Sequence, residues 1–249
     1  MCYHYSLSIS SEELIKRYSA FDEDYALLQE LYGEIHYYLN GFSHPLVPVV
    51  VHEKQDRLKL SRWGLIPSWT RSREDALEIA NKTLNARSES VFEKASFRES
   101  ILKRRCLVPA TGFFEWQAVK GKKYPHFISL KSEKIFSFAG LYDEWVDRSS
   151  GEIVHSFSLL TTEANPLMAK IHNTKKRMPL ILPSEKEKLW LDETLSRETL
   201  TQLFAAYDEN DMSAYTISRL VSSGEEKDTP AVLAAHTYPE LQTQQGELF

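Results

Sequence analysis

The central part of the chain, about residues 104–162, alternates short β-branched or aromatic runs with turns built from Gly, Lys and Ser. Such runs lie at residues 125–130, 135–141 and 154–161. Short apolar runs bounded by turn residues are typical of β-strands. Because helical patterns lie at the two ends of the chain and not between these runs, the sequence favours a largely antiparallel or mixed sheet over a regular βαβ winding.

Two capping boxes mark the helical ends. Ser10-Ser11-Glu12-Glu13 and Ser184-Glu185-Lys186-Glu187 each place a glutamate three residues after a serine, ahead of apolar residues. A further helix is predicted at roughly residues 22–38, and residues 215–221 are predicted to form the last strand.

The sequence contains no internal repeat and no low-complexity linker, so we predict one α+β domain over residues 1–222 and a polar, loosely held tail over residues 223–249. The two cysteines, Cys2 and Cys106, do not make a disulfide framework, which favours a reducing compartment. No apolar stretch is long enough to span a membrane, and residues 1–30 lack the apolar core of a signal peptide. We therefore expect a cytoplasmic monomer with no membrane partner and, since no His, Cys or Asp spacing fits one, no metal site.

The charge is uneven along the chain. The net charge of −5 argues mildly against a polyanionic partner, but residues 183–249 carry a net charge of −8 and the remainder +3. Local basic clusters decide phosphate binding more than the total does, although each alone is typical of a solvated turn. These clusters are Arg71/Arg73, Lys103-Arg104-Arg105, Lys120/Lys122/Lys123 and Lys175-Lys176-Arg177.

The chemistry of Cys2 depends on its position in the chain. Methionine aminopeptidases remove Met1 when the next side chain is small, and the chain then begins with an α-amine and a thiol on adjacent carbons. The pKa of an α-amine is about 8 and that of a free thiol is about 8.5, so reactive forms of both groups exist around neutral pH. Such an aminothiol condenses with an aldehyde, first to an imine and then to a five-membered thiazolidine. The alternative is a cysteine without a role on a frayed terminus.

Four polar segments in apolar surroundings are further candidates for chemistry. A glutamate between Phe114 and Trp116 is desolvated, which raises its pKa and suits it to donate a proton. Two tryptophans on a proline-stiffened loop offer flat rings on which bases stack. Each segment also has a structural explanation, namely an ion pair, a structural histidine or a core tryptophan. The segments are Trp63–Trp69, Asn85-Ala86-Arg87-Ser88-Glu89, Thr111–Trp116 and Ile171–Pro179.

Six motifs in a fixed order support a family resemblance. They are Cys2, Trp-Gly-Leu-Ile-Pro-x-Trp at 63–69, Asn-Ala-Arg-Ser-Glu at 85–89, Gly-Phe-Phe-Glu-Trp at 112–116, Thr-Thr-x-Ala-Asn at 161–165, and His followed by Arg-Met-Pro at 172–179. The set resembles the SRAP family, named SOS-response-associated peptidases and better described as abasic-site processing proteins. The resemblance spans residues 2 to about 220.

The resemblance implies a barrel-like β core, a cleft for single-stranded DNA and covalent capture of abasic sites, whose ring-opened sugar is an aldehyde. Cys2 would form the thiazolidine, and Asn85 would hold the crosslink by hydrogen bonds. Glu115 would act as acid and base, and His172 would assist proton transfer, including reversal of the crosslink. Neither a metal nor an organic cofactor is implied.

The resemblance also implies the DNA contacts. Arg87 would hold a phosphate, and the loop of Trp63 and Trp69 would stack on or separate the bases beside the lesion. Pro45 would pack at the edge of the cleft, and Arg177 would be a further DNA-binding residue.

The chain departs from the family pattern at three places. Tyr3 and His4 replace the family's Gly and Arg, so a pH-dependent histidine takes the position of a phosphate-binding arginine. His172 lies five residues before Arg177, where the family has two. The family's Tyr-Asn-x-x-Pro element is matched only in part at residues 39–45.

The C-terminal residues resemble a second kind of motif. Gln245-Gly246-Glu247-Leu248-Phe249 is similar to the bacterial sliding-clamp binding pentapeptide, Gln-x-x-Leu-Phe. A mobile peptide with an apolar anchor suits a pocket on such a clamp.

The leading hypothesis is therefore a nucleoid-associated enzyme that crosslinks to abasic sites in single-stranded DNA, with lyase or crosslink-reversal activity in addition. Two alternatives remain open. Cys2 could be the nucleophile of a thiol peptidase, or the chain could be a non-catalytic single-strand binding module that uses Trp63, Trp69 and basic residues.

Overall fold

The computed structural model describes residues 2–19, 28–30, 32, 35–52, 56–223 and 227–242. In chain order the strands are β1 (His4–Leu7), β2 (His36–Asn40), β3 (Leu46–His52), β4 (Asp56–Trp63), β5 (Asn85–Arg87), β6 (Arg105–Ala110), β7 (Gly112–Val119), β8 (Lys122–Leu130), β9 (Phe136–Val146), β10 (Ile153–Glu163), β11 (Arg177–Pro179), β12 (Ile181–Leu182) and β13 (Met212–Thr216). The helices cover Ser11–Tyr18, Arg73–Lys82, Ser100–Lys103, Pro166–Ile171, Ser184–Leu191, Arg197–Gln202, Leu220–Ser223 and Pro239–Gln242.

Five strands between residues 46 and 163 close into a mixed barrel. β3 pairs antiparallel with β4 and β6, and β9 pairs antiparallel with β6 and β10. β10 then runs parallel to β4, which closes the circle. β6 is buried along its whole length because the barrel interior lies on one face while β1 and the helix Ser184–Leu191 cover the other.

A second sheet packs on the barrel. Its order is β13-β8-β7-β1-β2, and each neighbouring pair is antiparallel. Tyr5 of β1 joins the two sheets, since its ring centre lies 5.2 Å from that of Trp63 and 5.9 Å from that of Phe138. The predicted α+β class, with a mixed, mostly antiparallel, barrel-like core flanked by helices, is confirmed.

The two capping boxes have different outcomes. Ser10 caps the helix Ser11–Tyr18 as predicted. The helix Ser184–Leu191 also forms, but Pro183 occupies its N-cap position and no side chain caps it. Glu187 instead accepts hydrogen bonds from the guanidinium of Arg17 at 2.8 and 3.1 Å, so a tertiary ion pair has replaced the local cap.

Residues 227–242 fold against the second sheet. The Asp228 carboxylate accepts hydrogen bonds from the backbone N–H groups of Tyr37 and Tyr38, at 2.5 and 3.0 Å. Val232 is buried beside Phe114 in a small apolar cluster. This part of the C-terminal segment therefore belongs to the folded unit, in contrast to the predicted loosely held tail.

The remainder of the predicted tail, including Gln245, Leu248 and Phe249, lies outside the described residues. Within the described ranges, no helix has both the length and the apolar composition that crossing a lipid bilayer would require.

Candidate active site

The start of the chain lies beside β7. β1 runs antiparallel to β7, with Tyr5 opposite Phe113 and Ser6 opposite Gly112. A Cβ atom at Gly112 would lie 2.1 Å from the ring of Phe127, so the close approach of the neighbouring strand requires glycine there. This register directs the residues before Tyr5 toward the half of β7 that follows Phe113.

A cavity of about 410 Å³ opens beside these strands. Its walls come from the start of the chain, from β7 and β8, and from the segment after the helix Pro166–Ile171. The lining residues include Tyr3, His4, Glu115, Lys123, His172 and Lys175. Two of the predicted catalytic residues, Glu115 and His172, therefore share one cavity.

Cys2 lies in the protein core near this cavity. Its side chain is fully buried, and its thiol donates a 3.5 Å hydrogen bond to the backbone carbonyl of His4. Burial raises the pKa of the thiol, and the Glu115 carboxyl raises it further. The thiol is therefore neutral at physiological pH.

Glu115 is a buried carboxylic acid on β7. Only 5% of the residue is exposed. Burial raises its pKa to about 7, which outweighs the opposing effects of the N-terminal charge, the Trp116 backbone and Lys175. The predicted rise of this pKa between Phe114 and Trp116 agrees with the structure, and it makes Glu115 able to give or take a proton near neutral pH.

His172 ends the helix Pro166–Ile171, which begins at a cap formed by Asn165. The Nδ1 atom of His172 lies 2.8 Å from the carbonyl oxygen of Arg177 and therefore carries the hydrogen. Burial lowers the pKa of His172. The ring is accordingly neutral near pH 7, with Nε2 as its basic nitrogen.

Asn85 lies at the start of β5, opposite Leu159 of β10. Both polar atoms of its side-chain amide are inaccessible to solvent, and neither has a hydrogen-bond partner among the described residues. A buried amide without partners is unfavourable in a folded protein. Asn85 therefore has unused hydrogen-bonding capacity.

The tryptophan loop does not offer two exposed rings. Trp63 is fully buried, and its indole N–H donates to the carbonyl of Leu84 at 2.8 Å. The prediction that Trp63 stacks on bases is therefore wrong, because barrel closure encloses its ring. Trp69 is 51% exposed but does not line the cavity.

Pro45 is half-buried before β3, and its carbonyl accepts a 3.0 Å hydrogen bond from the backbone N–H of Trp63.

His4 does not supply a positive charge at neutral pH. Its ring stacks on Tyr38, and its Nδ1 atom lies 2.8 Å from the Tyr38 hydroxyl. Burial, assisted by Lys227, lowers its pKa to about 4. The predicted role of His4 as a pH-dependent phosphate contact is incompatible with this environment between pH 5 and 8.

The two predicted DNA-binding arginines differ. Arg87 is exposed on β5 and makes no ion pair within the described part of the chain. Arg177 is 11% exposed, pairs with the Glu89 carboxylate and donates to the carbonyl of Thr161 at 2.7 Å. Arg177 therefore ties β11 to its surroundings, and the prediction that it binds DNA does not fit these bonds.

Sequence reasoning did not select Lys123 and Lys175, which line the cavity. Both belong to basic clusters that are typical of solvated turns, and only tertiary contacts distinguish them from Lys120 and Lys176. Across the described ranges, no three His, Cys, Asp or Glu side chains come together as a metal site.

Comparison with known proteins gives a consistent result. The family described as SOS response associated peptidase (SRAP) matches residues 1–224. The chain is 36% identical over 239 residues to the abasic site processing protein YoqW of Bacillus subtilis, which covers 95% of this chain and 100% of that protein. It is 32% identical over 199 residues to the abasic site processing protein HMCES of Xenopus tropicalis, covering 72% of this chain and 57% of that protein.

Solved structures also share this fold. A crystal structure of a protein from Bacteroides thetaiotaomicron matches with a TM-score of 0.89 and 39% identity, over 95% of this chain and 100% of that one. A protein from Bordetella bronchiseptica matches with a TM-score of 0.70 and 23% identity, over 87% of this chain and 100% of that one, which shows the fold alone.

Proposed function

The chain belongs to the SOS response associated peptidase (SRAP) family, and from this we propose that it processes abasic sites in DNA by capturing them covalently through Cys2. Relatives named abasic site processing proteins support the substrate class. The position of Cys2 beside an acidic group with a pKa near neutrality supports the covalent chemistry.

The reaction begins with removal of Met1, because the Cys2 nitrogen is an amide until then. The amine then attacks the aldehyde carbon of the ring-opened sugar, and the carbinolamine loses water to give an imine. The Cys2 sulfur adds to the imine carbon while its proton passes to the nitrogen. The product is a thiazolidine and one water, with no change in oxidation state.

The near-neutral pKa of Glu115 is the main support for this proposal, because each of these steps moves a proton near neutral pH. With a pKa of about 7, it exists as acid and carboxylate in comparable amounts. The acid can protonate the sugar oxygen during ring opening and the hydroxyl that leaves as water, and the carboxylate can take the proton back. His172, at 3.8 Å from Glu115, is the second group able to hold a proton.

Asn85 is proposed to bind the aminothiol and the crosslink. Its buried amide has a donor and an acceptor without partners in the described part of the chain. Filling both would stabilise the intermediate while removing an unfavourable feature of the unliganded protein.

Single-stranded DNA is the proposed substrate form. Burial and the Glu115 carboxyl raise the pKa of Tyr3, and the charge of the exposed Arg87 opposes this rise, so Arg87 acts electrostatically on a residue of the site. Trp69 is the exposed ring of the tryptophan loop and is available to stack on a base.

Intact-protein mass spectrometry tests the proposal. The Met1-processed chain is mixed with single-stranded DNA that carries one abasic site, without a reductant, and DNA with an intact base is the control. We expect an adduct with the mass of protein plus DNA minus water, which is absent for Cys2→Ser and for chains that retain Met1. No adduct from the processed protein would reject covalent capture.

The same experiment separates the two alternatives. A thiol peptidase would give no DNA adduct, and Cys2→Ser could retain residual amide hydrolysis. A non-catalytic binding module would hold intact and abasic DNA equally and would keep this binding in Cys2→Ser. Strand cleavage at the abasic site, followed on a gel, reports whether the imine also undergoes β-elimination.

The C-terminal pentapeptide supports a second proposal, which is recruitment to a sliding clamp. Gln245, Leu248 and Phe249 supply the polar and apolar positions of the motif. Deletion of residues 245–249 is expected to abolish binding to a purified bacterial clamp while leaving DNA crosslinking unchanged. Unchanged clamp binding would reject this proposal.

A further inference from the structure

The segment between His172 and Arg177 is attached to the second sheet beside the cavity. The Asn173 side chain accepts a hydrogen bond from the N–H of Ala118 at 3.1 Å and donates one to its carbonyl at 2.8 Å. A backbone turn supports this attachment, since the N–H of Lys176, a residue with φ of 49°, donates to the His172 carbonyl at 2.8 Å. The segment is therefore tied to β7 near its start and closed by a hydrogen bond between its two ends.

This attachment brings two lysines to the same cavity. Lys175 follows Asn173 by two residues and lines the cavity, whereas Lys176 does not. Lys123 of β8 lines it too, and it lies directly opposite Ala118 in the antiparallel pairing of β7 and β8. Ala118, to which Asn173 is hydrogen-bonded, is thus the cross-strand partner of Lys123.

Among the described residues that line the cavity, the two lysines carry the positive charge. Both are exposed, and neither ammonium group forms an ion pair with a carboxylate in the described part of the chain. His4, which lines the same cavity, is neutral near pH 7 because its pKa is about 4. Lys175 lies close enough to act electrostatically on both Glu115 and His172.

We propose that Lys175 and Lys123 bind a backbone phosphate next to the abasic sugar, and that Asn173 is the positioning residue that fixes Lys175 for this contact. The inference rests on the proposed function, because it places the sugar at Glu115. The phosphates of a nucleotide are attached to the same sugar whose carbon reacts, so a cation at this cavity meets one of them when the sugar is bound. Phosphate diesters attract ammonium groups as point charges.

The test measures non-covalent binding apart from crosslinking. The probe is single-stranded DNA with one tetrahydrofuran residue, an abasic analogue that has no aldehyde, and fluorescence anisotropy gives the Kd at increasing KCl concentrations. For Lys175→Gln and for Lys123→Gln we expect several-fold weaker binding and a plot of log K against log salt that is shallower by about 0.7 for each lost phosphate contact. Lys176→Gln, the neighbouring control, is expected to leave both quantities unchanged.

Asn173→Ala tests the positioning role, since it keeps both charges. We expect weaker binding for this variant alone, and no further loss when it is combined with Lys175→Gln, because the two changes act on one contact. Thermal melting of each variant checks folding, and a shift confined to melting without a change in Kd would contradict the positioning role.

Two outcomes keep this inference distinct from the proposed function. If the parent protein crosslinks abasic DNA but Lys175→Gln and Lys123→Gln retain the parent Kd and salt dependence, the phosphate site is rejected. If the parent protein fails to crosslink while both variants weaken binding to the probe as expected, covalent capture is rejected and the phosphate site is supported.

Discussion

Glu115 and His172 lie side by side without forming a salt bridge, because His172 is neutral near pH 7. Their Oε1 and Nδ1 atoms are 3.8 Å apart, which is beyond hydrogen-bond distance. Burial raises the pKa of the carboxyl to about 7 and lowers that of the imidazole. Because the Arg177 carbonyl holds the imidazole through Nδ1, the pair can pass protons to and from a substrate without either group being locked in a charged form.

Glu115→Gln is expected to stabilise the protein at alkaline pH. The folded carboxyl has a pKa of about 7 instead of 4.5, so folding retains a proton that the unfolded chain releases, and stability falls as pH rises from about 4.5 to 7. The substitution removes this loss, which is worth about 3 kcal/mol above pH 8 and nothing below pH 4. Urea unfolding at several pH values measures the difference.

The control for this prediction is Glu144→Gln. Glu144 is exposed, and although partial burial opposes the effect, its hydrogen bond to Lys59 lowers its pKa. Its replacement is expected to give no gain at alkaline pH. Equal stability of Glu115→Gln and the parent at pH 8 would contradict the burial argument.

Asn85→Leu is expected to preserve or raise stability and to slow crosslinking at least tenfold. The buried amide has no partner within the described ranges, so an apolar side chain of similar size removes a desolvation penalty of about 1–3 kcal/mol. Asn165→Leu is the matched control. Its amide bonds to Met168 and Tyr207, so it should lose stability by a similar amount. Destabilisation of Asn85→Leu equal to that of the control would overturn the prediction.

Substitution of Trp63 is expected to affect stability, whereas substitution of Trp69 is expected to affect DNA binding. Trp63→Phe removes the hydrogen bond to Leu84 and leaves a cavity, which should lower the free energy of unfolding by about 1–3 kcal/mol. Trp69→Ala should leave the melting temperature unchanged but weaken binding to single-stranded DNA by about 1–3 kcal/mol if the ring stacks on a base. Calorimetry and anisotropy measure the two effects, and unchanged DNA binding in Trp69→Ala would exclude stacking.

In the same way, substitution of Arg177 should affect stability, whereas substitution of Arg87 should affect DNA binding. Arg177→Ala leaves Glu89 and the Thr161 carbonyl without their partner, and we expect a loss of about 2 kcal/mol in stability. Arg87→Ala should not change stability, because the exposed side chain has no ion pair in the described structure, but it should weaken DNA binding in a salt-dependent way. A destabilised Arg87→Ala protein would show that its charge has a structural role.

Local signals in the sequence predicted local structure where no distant residue intervened. Ser10 caps its helix because a capping box needs only neighbouring residues. The box at Ser184 fails because Glu187 is used by Arg17, which is distant in the chain. Of the helix predicted at residues 22–38, residues 28–30 are helical, whereas residues 36–38 lie in β2 because they pair with β1. Residues 22–27, 31, 33 and 34 lie outside the described structure.

The environment of a candidate site residue was predictable only where its neighbours in the chain create that environment. The motif around Glu115 indicated a raised pKa because its apolar neighbours are adjacent in the chain. The burial of Trp63 depends on barrel closure, and the low pKa of His4 depends partly on Lys227, more than two hundred residues away. The strand predicted at residues 215–221 ends at Thr216, since a helix begins four residues later.

The attachment of Asp228 to Tyr37 and Tyr38 also governs how the molecule behaves toward copies of itself. β2 is the outermost strand of its sheet in the part of the chain that the structure describes, and the unpaired N–H groups of an edge strand can recruit a strand from another chain. The Asp228 carboxylate occupies two of these groups. A protein shortened to end at residue 222 would therefore expose this edge next to the strand that follows Cys2, and it is expected to aggregate through strand pairing where the full chain does not.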